Sequence, residues 1–365
     1  MRLLHIEASP GWGGQELRIL RESEGMRARG HQVILAVQKG GGLVQPAREA
    51  GFQVYEIPFR KSNSVSILFQ LLRMIRKLSI EVVNTHSSLD AWLGGLAGKI
   101  SGCRVVRTRH LSTPVRKGLN SYLLYNWLAD HVVTTCEEAK DVIQMQARLP
   151  DNRCCSIPTG VDTEKLSYNP EEVKRFREKL GISPGDCLAG TLCVLRGWKG
   201  VNDLLHAAYL LKEVKDLKWL VVGSGVSENY FISQHRKLGL QDHVYFTGHL
   251  SPPYTALAAM DIFLLLSWAH EGVSQASLQA AWFKKPLVTT SIGGLKEICI
   301  ENQTGFQVPA KDPKAVAQAV RRLMHLPELC QKFGNRAKAL VKDRFTLTYT
   351  LDQMEHVYCS KGVQG

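Results

Sequence analysis

Short apolar runs alternate along this chain with longer stretches of helical periodicity. The first run, Leu3–Glu7, predicts a strand, and Pro10–Gly14 a glycine-rich turn. Gln15–Arg29 reads as a helix with Leu17, Leu20 and Met26 on its apolar positions, stopped at Gly30. The alternation then repeats. Strands are predicted at His31–Val37, Phe52–Ile57, Ile80–Thr85, Arg104–Thr108, His131–Thr135 and Cys154–Ile157. Helices are predicted at Val65–Leu78, Ala91–Ile100, Leu119–Leu128 and Glu137–Gln146. Such a series specifies a parallel sheet covered by helices on both faces.

Pro158-Thr159-Gly160-Val161-Asp162 breaks the pattern, and residues 163–186 are polar, with a helix expected at Glu171–Leu180. A second series follows, with strands at Leu188–Val194, Leu217–Val222, Val244–Thr247, Ile262–Leu266, Leu287–Thr290 and Gly305–Val308. Helices are expected at Pro313–Met324, Leu329–Val341 and Thr346–Tyr358. A chain of 365 residues exceeds one ordinary core. The expected fold is α/β: two doubly wound Rossmann-like domains facing a central cleft, over residues 1–162 and 163–345. A C-terminal helix over 346–365 is expected to pack back toward the first domain.

Composition narrows the class. At 44% apolar and 22% charged residues the chain suits a globular protein. No apolar run reaches the ~18–20 residues of a membrane span. The opening MRLLHIEASPGWGG is too short in apolar length for a secretory signal, so a cytoplasmic location is expected. The nine cysteines form no C-x-x-C pair and no metal-ligand spacing, which favours free thiols and no metal. The net charge of +13 suits phosphate-bearing substrates, an anionic membrane surface or a nucleic acid.

Polar residues gather where strands end and helices begin. Residues 261–297, DIFLLLSWAHEGVSQASLQAAWFKKPLVTTSIGGLKE, hold two such clusters, Glu271–Gln275 and Ser291–Leu295. Their glycines and helix starts suit an anion. If the segment from Glu271 were helical throughout, Gln279 would stand ~12 Å from it along the axis, at ~1.5 Å per residue. Arg196-Gly197-Trp198-Lys199-Gly200 places two cations in a strand-to-helix loop, as a diphosphate requires. Gly223-Ser224-Gly225 and Gly11-Trp12-Gly13-Gly14 are further turns that let a ligand approach the backbone. His86 ends one strand and Arg109-His110 the next, where a histidine can bind a hydroxyl or move a proton.

Taken together, these segments resemble the retaining family-4 (group 1) glycosyltransferases of GT-B fold. GWGGQELRILRESEGMRARGHQV is similar to the family's opening glycine pair and helix. VVNTHSSLDAWLGGLAG and VVRTRH resemble its histidine-ending strands, and CSIPTGVDTEKL its linker. LRGWKG resembles its diphosphate loop, and residues 259–298 its E-x7-E block. The resemblance implies sugar transfer with retention from a nucleotide-sugar, UDP-linked, without metal or other cofactor. It implies that Arg196 and Lys199 hold the diphosphate. Glu271, with the amides of Gly272, Val273, Ser274 and Gln275, would meet the donor sugar and phosphates, and Gln279 the ribose. Gly223 and Gly225 would line the donor site. Gly13, Gly14 and His110 would border the reacting sugar, with His86 and Arg109 on the acceptor side. Two departures are visible: Gln279 stands for the second glutamate, and Val194 for a loop cation that Arg196 replaces.

The block around Glu271 and the basic charge resemble bacterial transferases of lipopolysaccharide or other surface glycans. A lipid-linked or lipopolysaccharide-type acceptor is therefore expected, with the enzyme peripheral on the inner face of the cytoplasmic membrane. The basic helix FQLLRMIRKL and a loop around Arg104, Arg107, Arg109, Arg116 and Lys117 are the expected membrane contacts. Competing readings are a GT-B epimerase or phosphorylase, a non-catalytic GT-B subunit, and a basic nucleic-acid binder. The last lacks zinc-finger spacing and any aromatic-basic RNA motif, so no nucleic-acid partner is expected.

Overall fold

The computed structural model describes residues 1–110, 115 and 117–360. The chain forms two compact units, Met1–Thr159 with Thr348–Gly365, and Gly160–Leu347.

The first unit carries a seven-stranded parallel sheet. Its strands are β1 (Arg2–Glu7), β2 (Gln32–Gln38), β3 (Gln53–Ile57), β4 (Val82–Thr85), β5 (Arg104–Arg109), β6 (His131–Thr134) and β7 (Cys154–Ser156). The order is β3-β2-β1-β4-β5-β6-β7. Leu4 pairs with Ile34 on one side and Val83 on the other. These strands are apolar on both faces because helices cover both faces. The helix Ser64–Leu78 buries Ile67, Leu71, Met74 and Ile75 against Leu4, Ile34 and Val83. That spacing places all four on one stripe, each contributing about 2 kcal/mol by burial. Its opposite face exposes Val65, Phe69, Arg73, Arg76 and Lys77.

The helix Gly14–Ala28 departs from its apolar pattern. Leu17 and Leu20 are half-buried, while Glu16, Arg18, Ile19, Glu22, Ser23 and Met26 are buried. The reason is the C-terminal helix, whose residues from Thr348 onward pack on this face. Tyr358 donates its hydroxyl to Glu22, Arg18 reaches Met354 Sδ at 3.7 Å, and Leu351 fills the space beside Gly25. A second departure follows Gly118. The helix expected over 119–128 is one turn, Leu119–Tyr122, running into a wider π-helical turn at Leu123–Trp127.

The second unit carries β8 (Cys187–Leu192), β9 (Leu217–Val222), β10 (Val244–Gly248), β11 (Ile262–Leu265), β12 (Leu287–Thr289) and β13 (Gly305–Gln307). They run parallel in the order β10-β9-β8-β11-β12-β13. Its core joins Trp219, Val221, Ile262, Leu264 and Val288 of the sheet to Leu204, Leu205, Phe231 and Phe333 of the helices. Phe306 meets Phe333 edge to face at 5.3 Å. Each sheet reverses its winding once, between β1 and β4 and between β8 and β11. A crevice opens at such a point beyond the carboxyl ends of the strands, because the following helices diverge to opposite faces. Among the described residues, no helix is long and apolar enough to cross a membrane.

Candidate functional site

In the second unit, the loops after β8 and β11 flank the switch point. The loop after β8 carries Arg196 and Lys199; the loop after β11 carries Glu271. The two loops are tied by a hydrogen bond from Trp268 N to Trp198 O at 2.9 Å, and the rings of Trp198 and His270 meet edge to face at 5.7 Å. Lys199 Nζ donates to Glu271 Oε1, which also accepts from Ser267 Oγ at 2.5 Å. Thr290 Oγ1 in turn donates to Ser267 O at 2.5 Å. Glu271 is 5% exposed, so its carboxylate relies on these donors in place of water.

Glu271 is not helical but lies in the loop before the helix. The helix spans Gln275–Trp282, and Ser274 caps it by accepting from Ser277 N at 3.4 Å. The ~12 Å axial separation from Gln279 therefore does not apply, because it assumed helix throughout. Gly272, Val273 and Ser274 instead form the approach to the helix start. Gln275 Nε2 donates to Gly160 O at 3.4 Å, and Gln279 lies half-buried one turn further along.

Two glycines hold neighbouring loops against this one. Gly293 has φ +57°, and a Cβ there would overlap the carbonyl oxygen of Glu271. Gly223 has φ +131°, and a Cβ would overlap the carbonyl oxygen of Cys193. Both are left-handed conformations that side chains resist. Leu195 N donates to Ser224 O at 2.9 Å, and Ser227 N to Leu195 O at 3.0 Å, so the Gly223–Gly225 turn adjoins the Arg196 loop. Arg196 is exposed, with its guanidinium 5.2 Å from the Trp198 ring. Val194 is exposed beside it. The structure thus brings Arg196, Lys199, Gly223, Gly225 and Glu271–Ser274 onto adjoining loops at one end of one sheet, with Gln275 and Gln279 on the helix that follows.

The remaining predicted residues lie in the first unit, again at its switch point. Gly13 precedes the helix after β1, and Gly14 begins it. His86 follows β4 and begins the turn into the helix Ser88–Ile100. Asp90 accepts the amides of His86 and Ser87 at 2.7 and 2.9 Å. Arg109 ends β5, and its Nη1 donates to Tyr125 Oη at 3.0 Å. A hollow of about 260 Å³ is lined by Ser9, Gln15, His86, Ser87, Arg107, Arg109 and His110, among others.

Behind this hollow lies a chain of three rings. His110 Nε2 is hydrogen-bonded to His86 Nδ1 at 3.0 Å, and His86 Nε2 to His5 Nδ1 at 2.9 Å. Burial lowers all three pKa values, those of His86 and His110 well below the usual histidine range. In neutral imidazoles, a proton on one bridging nitrogen forces the tautomer of the next, so the three act as one unit. Glu7 lies beside them, its carboxylate taking hydrogen bonds from Ser87, Gln15 and the Ser9 amide. Burial, reinforced by the charge of Asp90, pushes Glu7 up to about 7.

Sequence reasoning missed His5, Glu7, Ser267 and Thr290. His5 and Glu7 stand at alternate positions in the apolar LLHIE run, the one local sign that both serve a shared polar interior. The expected membrane loop is corrected. Arg104–Arg109 is β5, a strand, with Arg104 and Arg109 at opposite ends. Arg107 is buried, and Arg104 donates to Val357 O at 2.8 Å. Arg116 lies outside the described residues. A larger hollow, about 900 Å³, lies in the first unit at the other ends of the strands, around Arg104, His131 and Cys154. None of the predicted site residues lines it, and its main cations are committed: Lys99 to Asp130, and Arg153 to the carbonyls of Asn126 and Ala129.

Two parallel Rossmann-like sheets, each with polar loops at its switch point, make up the GT-B fold. HepE of Anabaena, solved in complex with UDP, has this fold. It matches with a TM-score of 0.86 and 19% identity over 98% of this chain and 99% of that one. Residues 12–165 match the model for Glycosyltransferase Family 4, and residues 172–340 that for Glycosyl transferases group 1. Together the two models span most of the chain and support a glycosyltransferase of group 1. It is 28% identical to the putative glycosyltransferase EpsD of Bacillus subtilis, over 83% of this chain and 84% of that protein. It is 23% identical to the capsular polysaccharide biosynthesis glycosyltransferase CapM of Staphylococcus aureus, over 92% and 91%.

Proposed function

We propose that this protein transfers a sugar, with retained anomeric configuration and without a metal ion, from a UDP-linked donor to a lipid-linked or lipopolysaccharide-type glycan. The observation that carries this reading is the Lys199–Glu271 pair at the switch point of the second sheet. Lys199 uses one of three ammonium donors on Glu271 and keeps two for phosphate oxygens. Arg196, exposed on the same loop, supplies a second cation that can grip a diphosphate bidentately. Charge grows on that diphosphate as the glycosidic bond breaks, and fixed cations lower the barrier most there.

Glu271 meets the donor sugar, the amides at the start of the helix Gln275–Trp282 face the phosphates, and Gln279 takes a ribose hydroxyl. Gly223 and Gly225 leave room beside them. In the first unit, Gly13, Gly14 and His110 border the reacting sugar, and His86 and Arg109 serve the acceptor. HepE's complex with UDP supports a uridine donor, and the role of CapM in capsule synthesis supports a surface-glycan acceptor. The exposed Val65, Phe69, Arg73, Arg76 and Lys77 suit a peripheral position on an anionic cytoplasmic membrane face.

The test is proton NMR of the product formed from UDP-glucose and a lipid-linked glycan in the presence of a chelator. Retention predicts an α-anomeric product from the α-linked donor, at a rate the chelator leaves unchanged. A β-linked product, or activity lost with the chelator, refutes the mechanism proposed.

A further inference from the structure

Arg107 is a buried cation whose guanidinium is incompletely hydrogen-bonded among the described residues. It sits on β5 with its residue 5% exposed, and its Nε and Nη1 are buried with no hydrogen-bond partner. A guanidinium cannot shed its proton to escape this, and leaving a buried charge unpaired is costly. Asp90 offsets part of the charge, but burial raises its own pKa and the attraction of Arg107 only partly opposes that rise. Yet one Asp90 oxygen is engaged by the His86 and Ser87 amides, and the other makes no hydrogen bond.

The surroundings of Arg107 are otherwise satisfied. Gln15 Nε2 donates to Glu7 and lies 3.3 Å from Ser87 Oγ. His86 and His110 are bonded to each other and are held neutral by burial. Arg109 lies two residues along the same strand face, adding a second positive charge at the hollow. The hollow of about 260 Å³ equals the liquid volume of roughly eight or nine waters at ~30 Å³ each, enough for one small charged group.

We propose that the hollow at the β1/β4 switch point is an oxyanion site, in which Arg107 binds a carboxylate or phosphate carried by the acceptor. Assigning the anion to the acceptor rests on the function proposed above; the oxyanion site itself does not. The acceptor is thus an anionic glycan or glycolipid, and Arg107 selects it over a neutral one of the same shape, since a neutral group would leave the guanidinium unpaired.

The experiment uses the full chain labelled with 15N-arginine and follows the Arg107 Nε signal, assigned by its loss in Arg107→Lys. Inorganic phosphate, glucuronate and methyl glucoside are titrated separately, and UDP in parallel. The site predicts that phosphate or glucuronate moves the Arg107 signal saturably, and that methyl glucoside leaves it in place. Arg107→Lys and Arg107→Met should weaken that anion about tenfold or more. A response to phosphate alone identifies a phosphorylated acceptor, and to glucuronate alone an acidic sugar. An Arg107 signal untouched by both anions overturns the proposal in the unmutated protein, whether or not the variants fold. Unweakened anion binding in folded Arg107→Met overturns it as well. If UDP fails to bind while an anion still moves Arg107, the donor reading falls and the oxyanion site stands.

Discussion

Replacing Lys199 with alanine strands the Glu271 carboxylate. The Glu271 side chain is 7% exposed and that of Lys199 19%, so the pair is largely shielded from water. Truncating one member of a buried pair costs about 3–5 kcal/mol, and the partial exposure of Lys199 places this case near about 3 kcal/mol. Ser267 remains as a donor at 2.5 Å but carries no charge. For a domain of this size, about 2–4 °C is lost per kcal/mol, so the unfolding midpoint should fall by about 6–12 °C. Adding Glu271→Gln removes the stranded charge, so the double variant should be more stable than Lys199→Ala alone. Turnover should not follow. Lys199→Ala should lower kcat about 10²–10³-fold, and the double variant should recover none of it. Thermal unfolding and turnover of the two variants make the test. A midpoint for Lys199→Ala within about 1 °C of the unmutated protein, or a double variant less stable than the single, would refute the reasoning.

Other consequences can be measured alongside. Glu7 binds its proton more tightly when folded, at about 7 against the ordinary 4.5, so its contribution to stability declines as pH rises between those values. Glu7→Gln should therefore gain relative stability across that window, by up to about 3 kcal/mol, and the difference between the two proteins should be flat on either side. The histidine chain has the opposite sign. His5, His86 and His110 have lowered pKa values, so stability is whole above pH 6.5 and is lost as pH falls below it. His86→Ala strands a ring nitrogen on each neighbour and should cost roughly 2–4 kcal/mol in urea unfolding at neutral pH. Gln279→Glu restores a charged acceptor for a ribose hydroxyl and should tighten UDP binding about fivefold by calorimetry. Phe69→Glu should reduce sedimentation with anionic vesicles, as should moderate salt acting on Arg73, Arg76 and Lys77; binding indifferent to both would rule out this surface.

Much of the fold was legible because parallel strands buried on both faces are continuous apolar runs. Leu217–Val222 and Ile262–Leu265 needed only that signal. Site positions were legible for a related reason. Strand ends carry the polar residues, so Lys199, Glu271, His86 and His110 could be singled out without knowing the strand order. Their partners could not. Lys199 and Glu271 are 72 residues apart, and His5 and His86 81, so each pair exists only through the sheet. The start of the helix after Glu271, at Gln275 behind the Ser274 cap, was not legible, because small and apolar residues continue upstream of the cap. Periodicity marks a helix face better than it marks a helix end. Arg107 was taken for a surface cation because VVRTR reads as a basic strand end, and burial of an arginine has no local signature.

The central claim is that the loops around Lys199 and Glu271 bind a nucleoside-diphosphate sugar. It is tested most directly by a thermal-shift panel of nucleoside diphosphates and nucleotide-sugars on the unmutated chain and on Lys199→Ala. At ~100 times its dissociation constant, a bound ligand stabilises the fold by ~2.7 kcal/mol. The account predicts such a shift with UDP and UDP-glucose, greatly reduced in Lys199→Ala. No shift with any nucleotide, or an equal shift in the variant, would contradict it.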